Sequence, residues 1–256
     1  MISLHSVHKR YGSGEDAVHA LEDIDLEIGE ATFVSIVGPS GCGKSTLLDI
    51  IAALTEPTEG FTEVDGEDVQ SEDFSRDNMA LMFQYPVLLE WRSVMKNVML
   101  PINIMQRNGD LDHPTVYYRD RAQEIIEMVG LDGFEDAYPA ELSGGMKQRV
   151  TICQALIHDP EVMLMDEPFG ALDALTKEHL NQELLRIWQE TKKTIIFVTH
   201  DLEEAIFLAD RVLVLSPRPG RIIGDYDIDL DRPRTQEILG SEEFVEHNTK
   251  IYTHFQ

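Results

Sequence analysis

The chain has 256 residues, 43% of them hydrophobic and 27% charged, enough for one large or two small domains with a substantial core. Acidic residues outnumber basic ones 47 to 21, giving a formal charge of −26. That excludes a general electrostatic affinity for nucleic acid, and any phosphate ligand needs a local site. No apolar run approaches the roughly 18 to 20 residues of a membrane helix. Met1–Arg10 holds neither an apolar signal core nor a cleavage site, which points to a cytosolic chain. Cys42 and Cys153 stand apart and read as two reduced thiols, and nine histidines show no metal-type spacing. The acid excess reads as an ordinary solvated surface or as a surface adapted to high salt, and eight lysines against thirteen arginines favour the second, with hydrated carboxylates in place of lysine.

Taken in order, Ile2–Val7 and Ile24–Ile28 alternate polar and apolar residues and predict half-buried antiparallel strands. Thr32–Val37 is a near-continuous apolar run stopping at Gly38, as in a strand buried on both faces. A helix is predicted from Lys44, with Leu47, Leu48, Ile51 and Leu54 on one face. Met79–Phe83, Val162–Met165, Thr194–Val198 and Val212–Leu215 read as short strands separated by helical segments, an α/β signature. Between Gln84 and Leu142 the chain turns helix-rich, with helices expected over Ser93–Met105 and over Val116–Val129, the latter closed by Gly130. Pro219-Gly220-Arg221 reads as a hairpin-like turn into a further strand, and a surface helix is expected from about Thr235.

The residues Gly38-Pro39-Ser40-Gly41-Cys42-Gly43-Lys44-Ser45-Thr46 match G-x-x-x-x-G-K-[ST] between an apolar strand and a helical pattern. Glycines let the backbone wrap a polyphosphate with its N–H groups pointing inward at a helix N-terminus, where the macrodipole also favours an anion. Lys44 supplies a point charge for the β and γ phosphates and Ser45 a hydroxyl for Mg²⁺. Val162–Met165 then runs into Asp166-Glu167-Pro168. An apolar strand carries two carboxylates cheaply only at its C-terminal mouth, where open α/β sheets bind ligands. Asp166 is the candidate Mg²⁺ ligand and Glu167 the candidate general base for an attacking water.

Leu142-Ser143-Gly144-Gly145-Met146-Lys147-Gln148-Arg149 adds a second anion site: Ser143 can cap a helix, and two adjacent glycines leave its first N–H groups uncovered at a cost in helix stability. With this segment the chain resembles the nucleotide-binding subunits of ABC transporters, over nearly its whole length and with the family's elements in order. The resemblance implies an α/β P-loop NTPase core with an antiparallel β subdomain and an inserted α-helical subdomain. It places residues 1–84 and about 160–256 in the core and β subdomain, and about 85–159 in the helical part, within a single domain spanning 1–256. It also implies ATP and Mg²⁺ as ligands, Tyr11 stacking on adenine, and Gln84 reaching Mg²⁺ and the attacking water. Asp173, in Ala171-Leu172-Asp173, falls in the D-loop, and His200 is the switch residue contacting the γ phosphate. Two such chains are expected to dimerise head to tail, each ATP lying between one chain's phosphate loop and the other's Ser143-Gly144-Gly145.

Leu88–Val94 with Asn97-Val98, and Leu215–Ile222, resemble the nitrate, sulfonate and taurine importer subfamily. This implies a peripheral subunit at the cytoplasmic face, held by a separate membrane permease and served by an extracytoplasmic binding protein, and it involves no nucleic acid. The chain stops before the regulatory domain of sugar-type import ATPases. Gln154 and Gly170 depart from the family, which commonly has arginine and serine there. The alternatives are a soluble ABC machine of repair, ribosome or iron-sulfur type, and a silent ATP-binding regulatory subunit. Against the first stand the absence of long heptad arms between Gln84 and Ser143 and the acidic charge of the chain; the second conflicts with intact Lys44, Asp166, Glu167 and His200.

Overall fold

The computed structural model describes residues 1–14, 17–109 and 111–255. Strand β1 (Ile2–Tyr11) pairs antiparallel with β2 (Val18–Ile28), Ile2 opposite Ile28 and Leu4 opposite Leu26, so the alternating apolar residues share one buried face. Strand β3 (Phe33–Val37) is buried at every position, as its unbroken apolar run predicts, and leads into helix α1 (Lys44–Ile51). Strands β4 (Glu59–Val64) and β5 (Glu67–Asp68) complete a four-stranded antiparallel sheet in the order β2-β1-β4-β5.

Strand β6 (Met79–Met82) is followed by four helices, α2 (Val94–Val98), α3 (Leu100–Asn108), α4 (Thr115–Met128) and α5 (Gly144–Leu156). The chain then alternates β7 (Val162–Asp166), α6 (Ala174–Thr191), β8 (Thr194–Thr199), α7 (Leu202–Leu208), β9 (Arg211–Leu215) and β10 (Ile222–Asp227), ending in α8 (Glu242–Tyr252). These strands form a second sheet, β10-β9-β3-β8-β7-β6, parallel except for the edge strand β10. Its two faces feed two apolar clusters. Val34, Ile36, Leu164 and Ile196 pack with α1 and the four-stranded sheet, whereas Phe33, Val37, Met163 and Phe197 pack with the helices opposite. Among the described residues, no helix is long and apolar enough to cross a membrane.

Three expectations need correction. Helix α1 ends at Ile51, and Ala53 takes a left-handed φ of 55°, so the chain has left the helix before Leu54, which is 56% exposed rather than on the apolar face. The helix expected over Ser93–Met105 is two helices meeting at Met99, because Pro101 has no N–H to give the Asn97 carbonyl four residues back. Gln154 fills that gap: its Nε2 donates to the Asn97 carbonyl at 3.0 Å, so the missing arginine is replaced by a hydrogen bond that holds α5 to α2. The C-terminal helix begins at Glu242, capped by Ser241, and buries Phe244 and Ile251 against the core rather than lying freely on the surface.

The segment before α8 fastens α7 in place. Arg234 is 5% exposed, and its guanidinium donates to the carbonyls of Ile206, Phe207 and Ala209 at 2.8–3.0 Å and to those of Ile228 and Leu230 at 3.2–3.4 Å. These include orphan carbonyls at the α7 C-terminus, where a cation is also favoured by the helix dipole. Burial pushes the Arg234 pKa down to about 10, still charged at neutral pH. Arg234→Met strands five buried carbonyls and is expected to lower stability by about 3 kcal/mol. A thermal melt then shows a fall in Tm of about 10 °C.

Candidate functional site

Parallel strands place their C-terminal ends along one edge, and every chemically suggestive residue of the six-stranded sheet sits there. Val37 pairs with Thr199, Asp166 with Val198, and Met82 with Met165, which levels the ends of β3, β8, β7 and β6. Just beyond them come Gly38, His200, Glu167 and Gln84. Gln84 and Glu167 border a cleft of about 470 Å³ that is also lined by the phosphate loop (Ser40, Gly41, Gly43–Thr46), by Asp166, and by Tyr11, Val18, Ala20 and Arg218; Gly38 and His200 are not part of this lining, and His200 is joined to it through Glu167.

The loop is shaped by close packing. Gly43 caps α1 with φ 112°, and a Cβ there would lie 2.8 Å from the Ala20 carbonyl oxygen and from Leu21 Cδ2. The N–H groups of Lys44, Ser45 and Thr46 occupy the first turn of α1, where no intrahelical acceptor exists. Lys44 is almost fully buried; its Nζ donates to the carbonyls of Gly38 (2.8 Å) and Pro39 (3.2 Å) and stands 3.9 Å from Glu167 Oε1. Cys42 is buried beneath the loop, and burial pushes its thiol pKa up, so it is an inert neutral thiol.

Glu167 adopts φ 45°, a strained conformation for a residue with a side chain, fixed by its N–H to the Val198 carbonyl (2.9 Å). This turns the carboxylate toward His200, whose Nδ1 lies 2.9 Å from Oε2. Burial, aided by the Glu167 charge, raises the Asp166 pKa against the opposing pull of the Ser45 hydroxyl and Lys44. At Gly170 a Cβ would lie 3.5 Å from Glu167 Oε2 and 3.7 Å from Gln84 Nε2, so a serine there would stand in ordinary contact with these two groups. Sequence reading did not find Val18, Ala20 or Arg218; the first two alternate along β2, and Arg218 arrives through a distant turn.

Ser143, Gly144, Gly145 and Asp173 lie outside this cleft. Ser143 Oγ accepts the Met146 N–H at 3.3 Å, capping α5, and Asp173 caps α6 by accepting the Thr176 N–H at 3.1 Å. Gly144 packs on Leu172 and Gly145 on Thr176, joining the two caps. Arg149 anchors α5 through the Val129 carbonyl (2.6 Å) and Glu183 (3.3 Å). One chain therefore presents two separate helix N-termini suited to anions.

A phosphate loop, two strand-end carboxylates and a histidine at one sheet edge define a nucleotide-hydrolysing P-loop protein. The family model described as "ABC transporter" matches residues 21–170, and the chain belongs to that family. It is 41% identical to an aliphatic sulfonates import ATP-binding protein of Bacillus cereus, over 255 residues covering 100% of this chain and 96% of the relative. A taurine import ATP-binding protein of Rhizobium johnstonii is 45% identical over 250 residues, 94% of this chain and 90% of that one. Among solved structures, a dimeric post-hydrolysis ATP-binding cassette bound to ADP and Pi superimposes with TM-score 0.76 at 33% identity, covering 90% of this chain and 100% of the other. The protein is an ATPase with the ATP-binding cassette fold.

The raised Asp166 pKa gives a stability prediction. A carboxyl whose folded pKa exceeds its unfolded one contributes stability below the ordinary carboxylate range that is lost as pH rises through the folded value. At neutral pH its buried charge therefore costs stability. Asp166→Asn without nucleotide is expected to melt above the parent chain at pH 7.5, the gap closing as pH falls into the carboxylate range. Differential scanning fluorimetry across pH checks this; a lower melting temperature at pH 7.5 contradicts it.

Proposed function

We propose that this chain is the ATP-hydrolysing subunit of an import complex that drives a small anionic solute of the sulfonate, taurine or nitrate type through a separate membrane permease. The observation that carries the proposal is the convergence of Lys44, Asp166, Glu167 and Gln84 on one cleft, with His200 bonded to Glu167, in a chain so similar to sulfonate and taurine import subunits. A soluble repair or assembly role has no comparable support. Residues 1–84 and about 160–256 form the catalytic and β parts of the domain, and about 85–159 its helical part.

In this reading Tyr11 stacks on adenine, and the loop from Gly38 to Thr46 wraps the phosphates with its N–H groups, Lys44 exchanging its carbonyl contacts for phosphate oxygens. Ser45, Asp166 and Gln84 line the same cleft and offer an all-oxygen donor set, which suits Mg²⁺. The ion, when bound, neutralises charge on the β and γ phosphates. Glu167 takes a proton from water as its oxygen attacks the γ phosphorus and the bond to the β–γ bridging oxygen breaks, releasing ADP. His200 orients the Glu167 carboxylate and faces the transferred phosphoryl group. Ser143, Gly144, Gly145 and Asp173 act on the nucleotide of a second copy, so ATP closes a head-to-tail dimer and hydrolysis reopens it.

Glu167→Gln is expected to bind ATP, lose about 10³-fold in turnover and elute as a dimer with ATP on size exclusion. A variant that stays monomeric with ATP, or turns over at the parent rate, contradicts the assignment.

The permease meets the chain beside Gln84. Phe83, Val87 and Ile104 are exposed apolar residues around a groove that also takes in Leu100 and Pro101, and Trp91, 74% exposed, stands in the preceding loop. Buried Asn97 fixes that loop, its Nδ2 donating to the carbonyls of Leu89, Arg92 and Ser93 and its Oδ1 accepting from the Leu89 N–H. A permease held here keeps the subunit at the cytoplasmic face, and an extracytoplasmic binding protein delivers the solute. Val87→Asp, a charge placed in this patch, is expected to remove the stoichiometric polytopic partner that co-purifies with the tagged parent chain from gently solubilised membranes. Undiminished recovery of that partner contradicts the placement.

A further inference from the structure

We propose that Arg218 is a nucleotide-binding residue whose guanidinium contacts the ribose and α-phosphate part of the bound nucleotide. The inference rests on the reading of the cleft as the ATP site. Its first support is position: Arg218 lines the same cleft as the phosphate loop and the Tyr11 side.

The turn that carries it is fixed against both walls. Ser216 Oγ donates to the Pro219 carbonyl (2.9 Å) and accepts the Arg221 N–H (3.0 Å), closing the turn on itself. Gly220 then stitches it to β2, its N–H donating to the Ala20 carbonyl (2.9 Å) and its own carbonyl accepting the Glu22 N–H (3.0 Å). On the other side Gly220 sits so near the phosphate loop that a Cβ would lie 2.3 Å from the Cys42 carbonyl oxygen. Arg218 thus projects from a closed turn wedged between the strand that supplies Val18 and Ala20 and the loop that faces the phosphates. Much of the ordering entropy of its backbone is already spent before any ligand arrives.

Charge is the second support. A nucleoside triphosphate brings about four negative charges into a chain whose formal charge is −26. Among the residues lining the cleft the cations are Lys44 and Arg218, set against the carboxylates of Asp166 and Glu167. Lys44, on the first turn of α1, serves the β and γ end and stands close to Glu167. The α-phosphate and ribose, leading toward Tyr11, have only Arg218 as a cationic neighbour in that lining. Arg221, three residues on, pairs with Glu22 at 2.8 Å, whereas among the described residues Arg218 makes no ion pair or side-chain hydrogen bond. A guanidinium offers paired N–H donors whose spacing matches two phosphate oxygens, or one phosphate oxygen and a hydroxyl.

The test compares Arg218→Ala and Arg218→Lys with the parent chain, and uses Arg221→Ala, whose side chain is paired with Glu22 outside the cleft lining, as the control. Dissociation constants for ATP and for ADP are measured by equilibrium titration. Arg218→Ala is expected to raise both by about tenfold and by the same factor, because the two nucleotides share the ribose and α-phosphate. Arg218→Lys recovers part of the loss, and Arg221→Ala stays at the parent values. Unchanged constants for Arg218→Ala overturn the proposal, as does a loss confined to ATP, which would place the guanidinium at the γ-phosphate or against a second copy. A fall in turnover with both constants at parent values overturns it too. Failure of the parent chain to bind ATP would instead overturn the reading of the cleft.

Discussion

Three backbones approach one another around the phosphate loop more closely than any side chain permits. A Cβ on Gly38 would lie 2.9 Å from Cys42 Sγ and 3.0 Å from the Leu215 carbonyl oxygen, one on Gly43 2.8 Å from the Ala20 carbonyl oxygen, and one on Gly220 2.3 Å from that of Cys42. The loop is therefore clamped by β9, by β2 and by the turn after β9. Because β2 belongs to the antiparallel sheet and β9 to the parallel one, the same clamp closes the seam between the two sheets. The cleft straddles that seam, taking Tyr11, Val18 and Ala20 from one sheet and Asp166, Glu167 and the loop after β3 from the other. Fixing the loop fixes the direction of its N–H groups, and donors aimed in advance need no reorganisation when charge develops.

That rigidity is bought with charges the fold would rather not bury. Asp166 and Glu204 both have pKa values raised by burial, and Cys42 is held neutral for the same reason. Burial works against the Lys177 charge as well, but the neighbouring Glu204 and Asp201 carboxylates outweigh it and raise its pKa. Glu204 is a structural case: its Oε2 accepts from Thr199 Oγ1 and lies 3.1 Å from Lys177 Nζ, so its neighbours compensate part of the cost. Asp166 differs in position: it lines the cleft, as do Ser45 and Lys44, the two groups that oppose the rise in its pKa. Strain at Glu167 belongs with it: a φ of 45° persists because the Val198 carbonyl and the turn to Gly170 hold the peptide from both sides. Ligands that bind only the folded state offset such costs by mass action.

How much of this could be read from the residues depends on the range of the signal. The strands were legible because an apolar run bounded by glycine or by acids carries its own limits, and the carboxylates of Asp166 and Glu167 could be placed at a strand mouth on solvation cost alone. Apolar spacing failed where the backbone turned beneath it. The pattern of α1 runs on through Leu54 although Ala53 has already left the helix, and the pattern across Met99 hides a break that Pro101 announces. Gln154 looked like a lost charge because its partner, the Asn97 carbonyl, is 57 residues away. Arg218 was invisible for a similar reason: Gly220 docks its turn on β2, a contact between segments that no local period records.

The two helix caps that lie away from the cleft are nonetheless linked, by packing and ion pairs, to the mounting of His200. Asp173 accepts from both the N–H and the Oγ1 of Thr176, whose methyl group packs on Gly145, while Leu172 packs on Gly144. The next residue, Lys177, reaches Asp201 at 2.9 Å and Glu204 at 3.1 Å, and Asp201 in turn donates its N–H to Thr199 Oγ1. His200 lies between Thr199 and Asp201 with its ring on Glu167. The first turn of α6 thus touches the Ser143-Gly144-Gly145 segment on one side and the mounting of His200 on the other. Moving one relative to the other requires breaking half-buried ion pairs or opening a packed glycine contact, both costly in an interior that deforms in discrete steps. The order of elements explains why this contact exists in every copy: the strand that runs into Glu167 leads directly, through Gly170 and Asp173, into the helix that carries Lys177.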